Sequence, residues 1–359
     1  LPDSTKIKLQ DMALARRYDS LWLDELYNNE LFEQIYGSIT AMTFEPVEYV
    51  ELPTDTLKAR LAEINSRTPF NVEYNPALES VIKNYLKNRR STMGRLMALS
   101  DYYFPMFEQA LDKYNIPLEL KYLAIVESAL RPTAESRVGA TGLWQFMFST
   151  GKMFGLNVNS YVDDRSDPLK ATDAACKYLQ ALHKRLGDWD LALAAYNSGP
   201  GNVSKAIRRS GGRINYWNIR QHLPRETAGY VPAFLATMYI FEYSKQHGFN
   251  SDGPRIPYIA TDTIHIKKQI ALEHVAHLTD IDLAEVAFLN PQYKLGIIPV
   301  VKNQTYTLRL PIDKVGVFVA NQDTIYAYAQ QAFNKREKPL PELNDLDKKI
   351  YYKVQSGDY

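Results

Sequence analysis

The stretch Leu118-Glu-Leu-Lys-Tyr-Leu-Ala-Ile-Val-Glu-Ser-Ala-Leu130 places one carboxylate, Glu127, inside an otherwise apolar helical pattern. Glu127 follows Leu120 by seven residues and Leu123 by four, so the three side chains share one face of the predicted helix. Desolvation on such a face raises the pKa of a carboxyl group and lets it hold a proton near neutral pH. Glu127 is therefore a candidate general acid, although a structural glutamate capped by a neighbouring turn fits the same periodicity.

A second motif, Gly139-Ala-Thr-Gly-Leu-Trp-Gln-Phe-Met147, begins twelve residues after Glu127 and contains two glycines. Glycine lets the backbone approach another strand or a ligand closely. The amide of Gln145 both donates and accepts hydrogen bonds, which suits recognition of an N-acetyl or hydroxyl group. A tight corner between two helices with a polar rim explains the same residues without a ligand.

Two shorter motifs lie at predicted helix ends. Tyr196 and Asn197 end one helix within Ala194-Ala-Tyr-Asn-Ser-Gly199, where they can point into a cleft. Glu226 opens a long helix within Glu226-Thr-Ala-Gly-Tyr230. Taken alone, the first motif is better explained as a plain helix C-terminus, and an acid in the first turn of a helix is ordinary capping chemistry.

The chain as a whole is predicted to be mainly α-helical up to residue 253. Start signals such as Asn75-Pro76 and Asp167-Pro168 precede apolar stripes at helical spacing throughout residues 76–250. A charge- and Tyr-rich helix is also expected at 19–33. After residue 254 the pattern changes to a βααβ unit, with strands at 263–267 and 305–310 and helices at 269–277 and 283–289.

These patterns predict five segments. They are an N-terminal helical arm at 1–75 that packs on the next domain, an all-α domain at 76–253, the βααβ module at 254–334, a Pro- and acid-rich linker at 335–350, and the start of a further module at 351–359.

Composition argues against several classes of function. The formal net charge of +1 gives no indication of nucleic-acid binding. Cys176 is the only cysteine, so no intrachain disulfide is expected, and its helical context favours a small buried hydrophobe. The sequence contains no run of 18 apolar residues, so it predicts no membrane span. Any membrane attachment is therefore expected through a segment absent from this chain. His274 and His277 form the only close histidine pair and lack a third ligand, so no metal or other cofactor is predicted.

Together, the four motifs resemble the lytic murein transglycosylases that have a goose-lysozyme-like domain. Gly-Leu-Trp-Gln with Trp144, and the stretch Asp163-Asp-Arg-Ser-Asp-Pro168, resemble the membrane-bound type D branch. The resemblance covers about residues 76–250 and implies a lysozyme-like all-α catalytic domain. It also implies peptidoglycan glycan strands as the partner and the periplasm of the bacterial cell envelope as the location.

The resemblance assigns roles residue by residue. Glu127 matches the single catalytic acid and base, and Ser136 matches a serine that orients the N-acetyl group of the substrate. Phe148 departs from the family pattern, which commonly has proline after the methionine, and this concerns the geometry of the turn rather than the chemistry. The remaining residues match positions in the sugar-binding cleft: Gln145, Met147, Tyr196, Asn197, Glu226 and Tyr230.

The βααβ module resembles a divergent LysM sugar-binding module. Asn290-Pro291 fits the LysM pattern, whereas the first strand lacks the usual Gly-Asp. The stretch Tyr352-Lys-Val-Gln-Ser-Gly-Asp358 is similar to the opening of a second, more typical LysM module, which also fits the type D branch.

The residues around Glu127 favour a reaction that uses one carboxylate. Hydrolytic glycosidases usually need two, and the only other acid in the next thirty residues, Glu135, is best interpreted as a solvated loop charge. With one acid, the nucleophile must come from the substrate, and the C6 hydroxyl of MurNAc would give a 1,6-anhydro product without consuming water. A hydrolytic muramidase on the same fold and a non-catalytic peptidoglycan-binding scaffold remain alternatives.

Overall fold

The computed structural model describes residues 51–249 and 261–334. The helix predicted at 19–33, the linker at 335–350 and the module predicted at 351–359 lie outside the described residues.

The first described part, residues 51–249, is almost entirely helical, which confirms the prediction of a mainly α-helical fold. Short 3-10 turns at Leu118–Tyr122, Arg220–His222 and Lys245–His247 complete it. Its α-helices in chain order are α1 (Thr54–Asn65), α2 (Pro76–Asn88), α3 (Arg90–Lys113), α4 (Leu123–Ser128), α5 (Phe148–Met153), α6 (Pro168–Leu186), α7 (Trp189–Ser198), α8 (Pro200–Arg209), α9 (Tyr216–Ile219) and α10 (Arg225–Glu242).

The helices begin where the sequence places capping residues. The Asn75 side chain accepts a hydrogen bond from the backbone of α2, and Pro76 occupies the first helical position, where its missing N–H is harmless. The Asp167 carboxylate accepts two backbone N–H groups at the start of α6, each at 3.0 Å. Gly187 ends α6 with φ of 73°, a left-handed conformation that glycine adopts without strain. The predicted starts of α2 and α6 are therefore confirmed.

Helix α10 is apolar around most of its circumference, and a helix of this kind is stable only when other elements surround it. It therefore lies at the centre of the helical domain. It packs against α2, α4 and α7. Helix α1, which lies within the predicted N-terminal arm, also contacts it: the Arg60 guanidinium donates to the Tyr239 hydroxyl at 3.2 Å. Just after the end of α1, Arg67 pairs with Glu242 at 2.8 Å. Within the described ranges, no helix is long and apolar enough to cross a membrane.

The second described part, residues 261–334, contains two two-stranded sheets and four helices. Strand β1 (Thr261–Ile266) pairs antiparallel with β4 (Tyr306–Pro311), in register from Thr261 opposite Pro311 to Ile266 opposite Tyr306. A shorter pair joins β2 (Ile270–Ala271) to β3 (Ile297–Ile298). Helices α11 (Leu272–Thr279) and α12 (Leu283–Leu289) lie between β1 and β4, as the βααβ pattern predicts. The short strands β2 and β3 were not predicted, and β2 occupies two residues that the pattern assigned to the first helix.

Two further helices, α13 (Ile312–Ala320) and α14 (Gln322–Asn334), follow β4 and were not predicted. Phe318 of α13 and Ile325 and Tyr326 of α14 are buried in the same apolar core as the strands. The βααβ description was therefore incomplete, because the module needs these two helices to cover its apolar core.

Candidate active site

Glu127 is the penultimate residue of α4, a helix that is shorter than the sequence predicts. A 3-10 turn (Leu118–Tyr122) replaces the expected first turns, so α4 begins only at Leu123. Directly after α4, Ala129 and Leu130 adopt left-handed backbone conformations with φ of 53° and 60°. Such conformations cost a residue with a side chain about 1–2 kcal/mol each. Strain of this kind is characteristic of functional sites, where surrounding structure fixes the backbone.

The carboxyl group of Glu127 accepts a hydrogen bond from the hydroxyl of Tyr230 on α10. The Glu127 side chain is partly exposed. Burial nevertheless raises the pKa of Glu127 to about 7; the hydrogen bond from Tyr230 opposes this rise, and the negative charge of Glu226 adds to it. At neutral pH a substantial fraction of Glu127 is protonated, which is the state that a general acid requires.

Tyr196 is a second tyrosine whose titration is linked to Glu127. Burial raises the pKa of both Tyr196 and Tyr230 well above 10, and the negative charge of Glu127 raises each further. The Tyr196 hydroxyl donates to the Trp144 carbonyl oxygen at 2.7 Å. Both phenols therefore remain protonated at neutral pH, and both serve as hydrogen-bond donors at the site.

The glycine turn (residues 139–147) is a compact loop closed by its own backbone. Thr141 and Phe146 exchange two N–H to carbonyl bonds, both at 3.0 Å. Gln145 has a left-handed φ of 46°, and its amide Nε2 donates to two backbone carbonyls, at 3.0 and 2.9 Å. Because these bonds use the amide N–H groups, the predicted sugar contact of Gln145 would have to involve the Oε1 acceptor.

Ser128 connects the helix that carries Glu127 to the glycine turn. Its Oγ lies 3.0 Å from the Leu143 carbonyl oxygen and 3.0 Å from a carbonyl of its own helix. Trp144 is fully buried, and its Nε1 donates to Thr172 Oγ1 of α6 at 2.9 Å. The sequence marked Ser128 and Trp144 only as parts of motifs, and the structure shows that both fix the turn in place.

Arg165 is a buried residue that sequence reasoning did not single out. Its guanidinium pairs with the Asp163 carboxylate at 2.8 Å, and its Nη1 donates to the carbonyls of Gly139 at 2.9 Å and Phe146 at 3.2 Å. The Arg165 backbone oxygen would lie 1.9 Å from a Cβ built on Gly142. Gly142 is therefore needed for close backbone approach, and Arg165 ties together the two ends of the glycine turn.

Of the predicted cleft residues, Ser136 lies just before the glycine turn, and Met147 is the last residue of the turn. Ser136 Oγ accepts the backbone N–H of Ala140 at 3.0 Å, so its hydroxyl stabilises the loop itself. Met147 precedes α5 in an extended conformation, and Met147 and Phe148 are 42% and 52% exposed. Single exposed apolar side chains are normal on protein surfaces, so this exposure does not by itself mark a binding site. The sugar contacts of Ser136 and Met147 stay predictions.

The start of α10 is linked to the end of α7 by Asn197. The side-chain oxygen of Asn197 accepts a hydrogen bond from the Thr227 hydroxyl at 2.8 Å. Glu226 is exposed in the first turn of α10, and its charge acts on Glu127. Tyr230 thus contacts Glu127 directly, Glu226 acts on Glu127 through its charge alone, and Asn197 braces the helix that supplies both Tyr230 and Glu226.

The histidine pair of the second module does not form a metal centre with other described residues. His274 is buried on α11, and the rings of His274 and His277 lie 5.5 Å and 5.9 Å from the Tyr328 ring. Within residues 51–249 and 261–334, no group of three His, Cys, Asp or Glu residues is arranged to hold a metal ion.

Comparison with known families matches both parts of the structure. Residues 105–218 match the transglycosylase SLT domain, a range that contains Glu127, the glycine turn and Tyr196 and ends before α10. Residues 260–327 match the LysM-like domain of the lytic transglycosylase MltD. The second match includes α13, one of the helices that the βααβ pattern missed.

Named proteins are similar over parts of the chain. Membrane-bound lytic murein transglycosylase D of Escherichia coli strain K12 is 33% identical over 240 residues, which cover 65% of this chain and 52% of that protein. Soluble lytic murein transglycosylase of the same strain is 35% identical over 127 residues, which cover 34% of this chain and 20% of that protein. The crystal structure of the 70 kDa soluble lytic transglycosylase from Escherichia coli matches with a TM-score of 0.38 and 24% identity, over 62% of this chain and 36% of that one.

The chain spans about half the length of the first of these relatives. Each of the two matches falls in one part of the structure: the SLT match lies in the helical part, and the LysM-like match lies in the strand-containing part. The chain therefore contains a transglycosylase SLT domain followed by an MltD-type LysM-like domain, and it resembles membrane-bound lytic murein transglycosylase D.

Proposed function

We propose that this protein is a lytic transglycosylase that cleaves the β-1,4 bond between MurNAc and GlcNAc in peptidoglycan and leaves 1,6-anhydro-MurNAc ends. The observation that carries the proposal is the state of Glu127, whose carboxyl has a pKa of about 7 and lies within the range that matches the SLT domain. The names of the relatives support the choice of substrate.

In the first step, Glu127 acts as the general acid. Its carboxyl proton passes to the oxygen between the two sugars, the bond from that oxygen to C1 of MurNAc breaks, and the GlcNAc hydroxyl leaves. Positive charge then develops at C1, where the N-acetyl oxygen of MurNAc can stabilise it. Ser136 is the predicted partner of that N-acetyl group, through its hydroxyl on the loop before the glycine turn.

In the second step, Glu127 acts as the base. Its carboxylate takes the proton of the C6 hydroxyl, the C6 oxygen bonds to C1, and Glu127 regains the proton that it gave. The Tyr230 hydroxyl donates to the carboxylate throughout. This bond stabilises the charged form between the two steps, whereas burial favours the protonated form at the start and end of the cycle.

The remaining cleft assignments form part of the same proposal. Gln145 Oε1 and the exposed Met147 side chain are suited to contact a sugar from the side of the glycine turn. Asn197, through its bond to Thr227, places the start of α10 and with it Glu226. We assign Glu226 to the substrate cleft rather than to proton transfer, because it is exposed and its charge serves to raise the pKa of Glu127.

The product spectrum of digested peptidoglycan tests the proposal. Mass spectrometry should show anhydro ends about 18 Da lighter than the reducing ends left by water. Glu127→Gln should abolish cleavage and retain sugar binding, whereas the control Glu135→Gln, at an exposed loop position, should retain activity. Hydrated ends alone would make the protein a muramidase, and no cleavage by the wild type would leave a peptidoglycan-binding scaffold.

We further propose that the protein acts in the cell envelope, on the periplasmic side, and that it is associated with the membrane. The similarity to a membrane-bound murein transglycosylase supports this location. Fractionation of cells that express the full-length protein tests it, because recovery in the cytosolic fraction would contradict it.

A further inference from the structure

The LysM-like domain contacts the catalytic domain through a junction loop, residues 157–164, that lies between α5 and α6. Val162 of this loop and Tyr293 of the LysM-like domain form an antiparallel β-bridge. Beside it, the Lys294 backbone N–H donates to the Tyr161 carbonyl at 2.9 Å. Val162 is 1% exposed and belongs to the apolar core of the LysM-like domain. A residue of the catalytic domain thus completes the core of its neighbour.

The residue after Val162 carries the connection back to the active site. The Asp163 backbone N–H donates to the Gln292 carbonyl at 2.9 Å, so the LysM-like domain fixes the Asp163 backbone. The Asp163 carboxylate holds the Arg165 guanidinium through bonds of 2.8 and 3.0 Å. Arg165 in turn donates to Gly139 and Phe146 of the glycine turn. Asp163, Arg165 and the bonded carbonyls therefore form one continuous polar network between the two domains.

The far end of this network reaches the helix that bears Glu127. Arg165 packs its backbone oxygen against Gly142, and the glycine turn is held to Ser128, the residue next to Glu127, by a 3.0 Å contact between Ser128 Oγ and Leu143 O. Buried polar groups in such networks have few alternative partners, so movement at one end leaves donors or acceptors unsatisfied at the other.

We propose that the LysM-like domain positions the active site, because it holds the junction loop so that Arg165 can fix the glycine turn against the helix of Glu127. Val162 and Arg165 are positioning residues in this arrangement. The effect on turnover rests on the proposed transglycosylase function, whereas the mechanical link between the domains does not.

The test compares two Val→Ala variants of the full chain by hydrogen exchange and by kinetics. Val162→Ala removes the buried side-chain contact between the junction loop and the LysM-like core, while the backbone bonds of the loop remain possible. Val275→Ala is the matched control, because Val275 is 0% exposed in the same core but lies on α11. We expect Val162→Ala to speed exchange of the backbone amides at 139–147 about tenfold, as a lost buried contact would. Val275→Ala should lower the melting temperature by a similar amount to Val162→Ala, but it should leave the amides at 139–147 protected.

Arg165→Lys provides a second perturbation, because it keeps the charge and loses the forked donor geometry. It should speed exchange at 139–147 while amides of β1 and β4 remain protected. Both Val162→Ala and Arg165→Lys should lower kcat on peptidoglycan about tenfold with little change in KM, since they disturb geometry rather than sugar binding.

Equal exchange at 139–147 in Val162→Ala and Val275→Ala would overturn the proposal, and so would unchanged exchange in Arg165→Lys. A different outcome separates the two proposals. If exchange is faster in Val162→Ala and Arg165→Lys but the wild-type protein shows no cleavage of peptidoglycan, the link between the domains is upheld and the transglycosylase function is rejected.

Discussion

Replacement of Glu127 by glutamine should stabilise the folded protein above neutral pH while it abolishes turnover. Burial raises the pKa of Glu127 from its ordinary value of 4.5 to about 7. Between these two values the folded state binds more protons than the unfolded state, so the free energy of unfolding falls as pH rises. The stability cost of the carboxylate is absent below pH 4.5 and complete above pH 7. Glutamine has the same shape, accepts the same bond from Tyr230, and never ionises.

The size of the effect follows from the same two values. A rise in pKa from 4.5 to about 7 corresponds to a cost of about 3 kcal/mol once the group is fully ionised. Because the Glu127 side chain retains some contact with solvent, which screens its charge, we expect glutamine to gain about 2 kcal/mol of stability between pH 5 and pH 8.

Urea denaturation at pH 5 and pH 8 measures this gain. Wild type, Glu127→Gln and the control Glu135→Gln are compared at both pH values, and the control should show no difference because Glu135 is exposed. A Glu127→Gln variant that is equally or less stable than wild type at pH 8 would refute the reasoning. In that case the carboxylate would be stabilised by the site rather than strained in it.

Three further outcomes are expected. Tyr230→Phe removes the donor that lowers the pKa of Glu127, so the alkaline limb of the pH–rate profile should move up by about one pH unit and the maximal rate should fall. Gly142→Ala should lose about 3 kcal/mol or more in thermal unfolding, since its Cβ would lie 1.9 Å from a backbone oxygen. Gly155 has the same φ of +91°, but no atom lies within 4 Å of a Cβ built on it. Gly155→Ala should therefore lose only about 1 kcal/mol. Burial raises the pKa of Asp190 from 3.8 to about 7, so Asp190→Asn should increase stability above pH 7 and leave turnover unchanged.

The sequence was most informative where local chemistry decides the structure. Asp167 and Pro168 predicted the start of α6, because capping and the missing proline N–H act within a few residues. The helical spacing around Glu127 predicted a desolvated carboxyl, and burial does raise the pKa of this group. The periodicity could not show that a 3-10 turn precedes α4, because apolar spacing is similar in both helix types.

The parts that were missed depend on contacts between distant segments. Arg165 acts on the carbonyls of Gly139 and Phe146, which lie 26 and 19 residues earlier, and backbone carbonyls leave no trace in residue identity. The bonds from the Gln145 amide N–H groups to its own loop were likewise not predicted, and the sugar contact of Gln145 stays a prediction. Helices α13 and α14 were missed because their role is to cover a core that only the folded sheet creates.

The burial of Val162 in the LysM-like core has a consequence for how such proteins can be recombined. A cut between residues 249 and 261 separates the two domains in sequence, but it leaves Val162 exposed on one fragment and a gap in the core of the other. Exchange of the LysM-like domain for one from a different protein would therefore require the new domain to accept a side chain at this position. Val162 belongs to the first domain in sequence and to the second in packing, so the boundary between the domains in the chain is not the boundary between their cores.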